Sequence, residues 1–158
     1  MEKSRINFYP LVLDDGGRNY SRRPYQINDC SVRAFAILSG LPYDEIYDIL
    51  RKAGRKSNEG FWSDRWIERK KGKVLNGKFK RVSLKRGKIT PMNFSKFYPR
   101  GRYLLESHNH TWVVIDGVHR DMWRVKDQNE PLFGIWKFTP NPFKFSLEYS
   151  KIEAKSKN

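Results

Sequence analysis

The stretch Asn28-Asp29-Cys30-Ser31-Val32-Arg33-Ala34-Phe35-Ala36-Ile37-Leu38-Ser39-Gly40 decides how the rest of the chain reads. Asn28 and Asp29 are residue types that cap helix N-termini. From Cys30 onward the run is apolar on most of its faces, and Gly40 stops it. A helix apolar on most faces belongs in the centre of a fold. The single cysteine of the chain therefore falls at the N-terminus of a central helix. Unpaired backbone N–H groups and the helix dipole favour negative charge there. That setting lowers a thiol's pKa and makes the thiolate nucleophile more available. A small buried residue in an apolar helix is the ordinary alternative for a free cysteine. The polar neighbours Asn28, Asp29 and Ser31 argue for the reactive reading instead.

Outward from this helix, Leu41-Pro42 opens a second one, with Asp44 and Glu45 at its positive end. Ile46, Ile49, Leu50 and Ala53 form one apolar stripe, and Gly54 closes it. Residues 61–71 predict a third short helix with Ser63 as its cap, and residues 90–98 a fourth with Pro91 at its first position. Upstream, residues 7–14 read as a strand ended by the turn Asp14-Asp15-Gly16-Gly17, and residues 17–28 as a loop. Downstream the pattern changes to strands at 102–106, 110–115 and 118–123, with a further one at 135–138. Asp116-Gly117 is a strong hairpin signal between the second and third of these. Helices first and an antiparallel meander after make the chain α+β.

The hairpin turn fixes a register. With Ile115 opposite Val118, His110 stands opposite Trp123 and Asp121 opposite Trp112. His110 and Asp121 are then diagonal neighbours on one face, roughly 7 Å apart and within side-chain reach. A carboxylate there can hold the tautomer and orientation of an imidazole whose other nitrogen acts as base. Cys30, His110 and Asp121 thus make a nucleophile, a base and an orienter. His108 and His119 compete for the base role. A zinc site built from His108, His110 and His119 is the weaker alternative, because it lacks a fourth ligand. No metal and no cofactor are expected.

The chain has 158 residues, the size of one domain. A single domain is expected over 1–150, with a flexible tail at 151–158. Its 32 Lys and Arg against 17 Asp and Glu give a net charge of +15. Aromatic residues at 15% are too many for a disordered chain and enough for a real core. One cysteine excludes an intramolecular disulfide framework and points to a reducing compartment. No segment approaches the roughly 18 apolar residues of a membrane span, and no signal peptide opens the sequence, so a cytoplasmic protein without membrane attachment is expected.

Residues 65–88 hold eleven Lys or Arg and one acid, Glu68. The segment reads as a basic insertion. Lys70, Lys71, Lys73, Lys78, Lys80, Arg81, Lys85 and Arg86 are its candidate contacts to nucleic acid or to an acidic protein. A solvated hairpin whose charge only maintains solubility is the plain alternative.

Two stretches carry a resemblance. Asn-Asp-Cys-x-x-Arg-Ala-x-Ala-x-x-Ser-Gly-Leu-Pro-Tyr at 28–43 and His-Thr-Trp-Val-Val-Ile-Asp-Gly-Val-His-Arg-Asp-Met-Trp at 110–123 resemble the papain-like cysteine peptidase superfamily. The likeness is greatest to bacteriocin-processing-type peptidase domains and to small proteins of that kind encoded by tailed bacteriophages. The resemblance implies a papain-like fold, acting in the host cytoplasm if phage-encoded, with a protein or peptide substrate. It makes Cys30 the nucleophile, His110 the general base and acid, and Asp121 the orienter. The superfamily usually has a Gln a few residues before the cysteine, donating to the oxyanion. Here Gln26 lies closer than that spacing, and Asn28 is the other candidate. Asp29-Cys30-Ser31 also resembles the triplet of the NlpC-type cell-wall endopeptidases, although Val32 stands where those typically have Gly. The implied activity is thiol-dependent hydrolysis of an amide or isopeptide. A peptidoglycan hydrolase of the same fold and a non-catalytic basic binder of nucleic acid or of a host protein are the competing readings.

Overall fold

A computed structural model describes residues 8–84 and 88–142. The helices are α1 (Cys30–Ser39), α2 (Tyr43–Lys52), α3 (Ser63–Arg69) and the single turn α4 (Phe94–Phe97). The strands are β1 (Leu11–Leu13), β2 (Lys73–Val74), β3 (Gly77–Arg81), β4 (Arg102–Ser107), β5 (His110–Ile115), β6 (Val118–Asp121) and β7 (Gly134–Pro140). They form one sheet in the order β1-β6-β5-β4-β7-β3-β2. The protein is mixed α+β, as the order of elements predicts. No helix among the described residues is long and apolar enough to cross a membrane.

The centre of the fold is α1. Val32, Phe35 and Leu38 are fully buried, and Phe35 meets Trp66 of α3 and Phe79 of β3 edge to face. Burying such a side chain contributes about 1.5–3 kcal/mol. Gly40 ends the helix in the left-handed region (φ 77°), its N–H bonding to the Ala36 carbonyl. The stripe of α2 packs on the same core through Ile46 and Leu50. Together α1, α2 and α3 cover one face of the sheet over Leu104, Val113, Trp136 and Phe138. The other face holds a second core of Phe94, Tyr103, Leu105, Trp112, Val114, Leu132 and Ile135.

The hairpin has the expected register, with Ile115 opposite Val118 and Val114 opposite His119. Asp116 (φ 48°) and Gly117 (φ 81°) both take the positive φ that its tight turn requires.

Four expectations are corrected. The sheet is not purely antiparallel, because β1 runs parallel to β6, pairing Leu13 with Asp121. The meander is interrupted, because β7 lies beside β4 and not beside β6. The strand expected over 118–123 ends at Asp121. The fourth helix shrinks to Phe94–Phe97, because Thr90 and Asn93 close a turn on each other's backbone N–H groups ahead of it. The basic segment lies at the edge of the sheet. Its hairpin β2–β3 is built into the sheet, and β3 pairs with β7 over five residues while Phe79 packs on Phe138. The tail expected over 151–158 lies outside the described residues.

Candidate active site

Cys30 is the first residue of α1 and is partly buried. Asp29 occupies the cap position but makes no capping bond, contrary to its expected role. Its carboxylate, 2% exposed, is held by Arg33 Nε (3.1 Å), Tyr43 Oη (2.8 Å) and Arg18 Nη1 (3.2 Å). The N-terminal amides of α1 are thereby left without a capping side chain beside the thiol.

His110 opens β5, and the sheet brings it to that helix end. Its Nε2 donates to Asp121 Oδ2 at 2.5 Å, and the ring lines one cleft with Cys30, near enough for thiol and imidazole to shift each other's pKa. Asp121 ends β6, 4% exposed, and its other oxygen accepts from Arg33 Nη1 (3.1 Å) and from the Met122 N–H (2.8 Å). The imidazole stacks on Trp112 at 5.4 Å and on Trp123 at 5.3 Å. Trp123 also lies over the Arg33 guanidinium at 4.9 Å. The three residues singled out from the sequence thus stand together, His110 bonded to Asp121 and facing the cleft that it shares with Cys30.

The electrostatics of thiol and imidazole run in opposite directions. Burial by itself raises the Cys30 pKa. The His110 hydrogen bond and charge, the Thr111 backbone N–H and the Arg33 charge outweigh it, and the thiol falls below its ordinary value. Burial by itself lowers the pKa of His110, but Asp121 and Cys30 raise it to about 9. Both shifts favour a thiolate beside an imidazolium at neutral pH.

The competing histidines are elsewhere. His119 is fully buried, stacks on Tyr9 at 4.0 Å, and its Nδ1 accepts from Trp112 Nε1 at 2.9 Å. Burial holds its pKa down at about 4. His108 is exposed and stands edge-on to Phe133. The three histidines therefore do not converge. Among the described residues no three His, Cys, Asp or Glu side chains could hold a metal ion.

Of the two oxyanion candidates, only Asn28 lines the cleft with Cys30. Asn28 has a positive φ of 51°, and its amide Nδ2 donates to the Asn58 carbonyl at 3.0 Å, which leaves it one further hydrogen. Gln26 is 8% exposed and committed to its loop. Its Oε1 accepts from Arg55 Nη2 and the Asn58 N–H, and its Nε2 donates to Ser57.

The cleft beside Cys30 and His110 has a volume of about 820 Å³ and is walled by Trp62, Asp64, Glu106 and Phe133. Trp62 and Phe133 are exposed on its rim. Glu106 of β4 was invisible to sequence reasoning. Burial, and then the hydrogen bond and charge of Asp64, push its pKa up to about 9. Asp64 is held below the usual carboxylate range. Burial alone would raise it, but Glu106, Trp136 Nε1 (2.8 Å) and Arg81 outweigh that. The two shifts run in opposite directions, and Glu106 is the carboxyl that keeps its proton at neutral pH.

In the basic segment, Lys70, Lys71, Lys73, Lys78 and Lys80 are exposed. Arg81 faces the helices, pairs with Glu68 (3.2 Å) and Asp64 (3.6 Å), and lies over Trp136 at 4.5 Å. Lys85 and Arg86 lie outside the described residues. Comparison with family models, with curated proteins and with solved structures finds no match to this chain.

Proposed function

We propose that the protein is a papain-like cysteine hydrolase that cleaves a peptide or isopeptide amide. The observation that carries the reading is the row Cys30–His110–Asp121. It places a thiol below its ordinary pKa against an imidazole raised to about 9, at a helix N-terminus that opens into a cleft. The Cys30 thiolate attacks the substrate carbonyl carbon, and the π electrons move to oxygen. The Cys30 backbone N–H and the free Asn28 amide hydrogen supply hydrogen bonds to that oxyanion. The imidazolium of His110 passes its proton to the leaving nitrogen as the C–N bond breaks, and a thioester remains. Neutral His110 then takes a proton from water, hydroxide adds to the thioester, and the thiolate leaves as the carboxylic product forms. Asp121 keeps the imidazole in place through both halves. Trp112 and Trp123 keep water from the His110–Asp121 bond.

Thiol alkylation tests the reading without a known substrate. Iodoacetamide should label Cys30 at a rate that stays high well below pH 8.5, and His110→Ala should bring the rate down to that of an ordinary thiol. Labelling that follows an ordinary thiol titration in both proteins rejects the proposal.

A further inference from the structure

Following the alternation along β3 divides the basic segment into two sets. Phe79 and Arg81 turn toward the helices, where Phe79 is buried and Arg81 is paired. Lys78 and Lys80 turn to the opposite face. There the register places Lys73 directly opposite Lys78, and Lys80 directly opposite Lys137 of β7. Lys137 lies far from the segment in sequence, and only the sheet brings it in. All four lysines are exposed, and among the described residues none of them forms an ion pair. On the same face the second core covers β4, β5 and the start of β7, but it leaves these four positions open.

Like charges directly opposite each other in a sheet destabilise it. Two such pairs lie side by side here, with no acid on the strands between them. A local rule broken twice without a compensating contact is the mark of a surface kept for a partner. Charge complementarity makes that partner a polyanion. The aromatic residues of β3 and β7, Phe79, Trp136 and Phe138, are all buried, so the face offers no platform on which a single strand could stack its bases. Lysines are strongly hydrated point charges without the planar guanidinium fork, which suits them to phosphates. We propose that the open face of β2, β3 and β7, carrying Lys73, Lys78, Lys80 and Lys137, binds the phosphate backbone of double-stranded nucleic acid without reading its sequence.

Fluorescence anisotropy with the full chain and a labelled duplex DNA of arbitrary sequence, about two helical turns long, tests this. Binding should weaken steeply with salt. Replacing the four lysines together by Gln should lower affinity at least about tenfold and reduce the salt slope by about four. The same variant should melt higher than the parent, because it loses both like-charge pairs. A control variant with Gln at Lys52, Lys56, Lys96 and Lys126 has the same net charge and should keep the parent's salt slope. Three results overturn the proposal. One is no binding at about 100 mM salt. Another is an equal loss in the control variant, which reduces the effect to net charge. The third is polyglutamate displacing the duplex as well as unlabelled duplex does, which makes the partner an acidic protein.

Discussion

Trp112 Nε1 donates to His119 Nδ1 at 2.9 Å, and the same indole stacks on His110. The histidine excluded as a base thus fixes, through one tryptophan, the ring of the histidine proposed as one. Its folded pKa of about 4 lies below its ordinary 6.5. Between those values the unfolded chain holds a proton that the folded chain refuses, so stability falls as pH drops from about 6.5 to about 4. His119→Gln keeps an acceptor for Trp112 and should flatten that decline. His119→Leu should also cost about 1–3 kcal/mol at pH 8, because it leaves the buried Trp112 N–H unsatisfied. Urea midpoints across that range check both. Equal pH slopes in parent and His119→Gln would refute the assignment.

Glu106 has the opposite sign. Its folded pKa of about 9 lies above its ordinary 4.5. Across that window the folded protein keeps a proton that the unfolded chain has released, so stability falls as pH rises and levels off above about 9. Glu106→Gln cannot ionise, and its urea midpoint should change less between pH 5 and pH 8 than the parent's. The two windows overlap between pH 4.5 and 6.5 with opposite slopes, and the two variants separate them.

Arg33 joins the helix of Cys30 to the strand of Asp121. Its guanidinium is 3% exposed and bonds the carboxylates of Asp29 and Asp121, both buried. Arg33→Met should cost about 3–5 kcal/mol, because two buried carboxylates lose their common partner. It should also move the acid limb of Cys30 alkylation to higher pH, because the Arg33 charge helps hold the thiol down. Arg33→Lys restores the charge without the fork, so it should recover most of the pH shift and little of the stability. A pH limb unmoved in Arg33→Met would confine the residue to a structural role.

The sequence showed what is local and hid what is not. The His110–Asp121 pair was legible because Asp116-Gly117 fixes the register of one short hairpin. Cys30 at a helix N-terminus was legible because the helix has a clear start and a glycine stop. The Glu106–Asp64 pair was not, because it depends on where the start of α3 meets the sheet, which Asp64 marks by its bond to Trp136 of β7. The place of β7 between β4 and β3 was hidden for the same reason, and with it Lys137. The helix expected from Pro91 failed on a local competition, in which Thr90 and Asn93 bonded each other's backbone and delayed the helix to Phe94.

The oxyanion assignment separates two residues that the sequence left as alternatives. Alkylation by iodoacetamide displaces iodide at a saturated carbon and builds no oxyanion. Acylation by p-nitrophenyl acetate attacks a carbonyl and does. Asn28 lines the cleft with a free amide hydrogen, whereas Gln26 is engaged by Arg55, Ser57 and Asn58. Asn28→Ala should therefore leave alkylation of Cys30 nearly unchanged and slow its acylation by about 10²–10³-fold, the usual cost of one oxyanion donor. Gln26→Ala should lower the melting temperature, because Arg55 and the Asn58 N–H lose their acceptor, and should slow both reactions alike if it slows either. Acylation lost in Gln26→Ala with alkylation intact would transfer the donor's role to Gln26. Acylation intact in both variants would leave the backbone N–H groups of α1 as the whole of the oxyanion site.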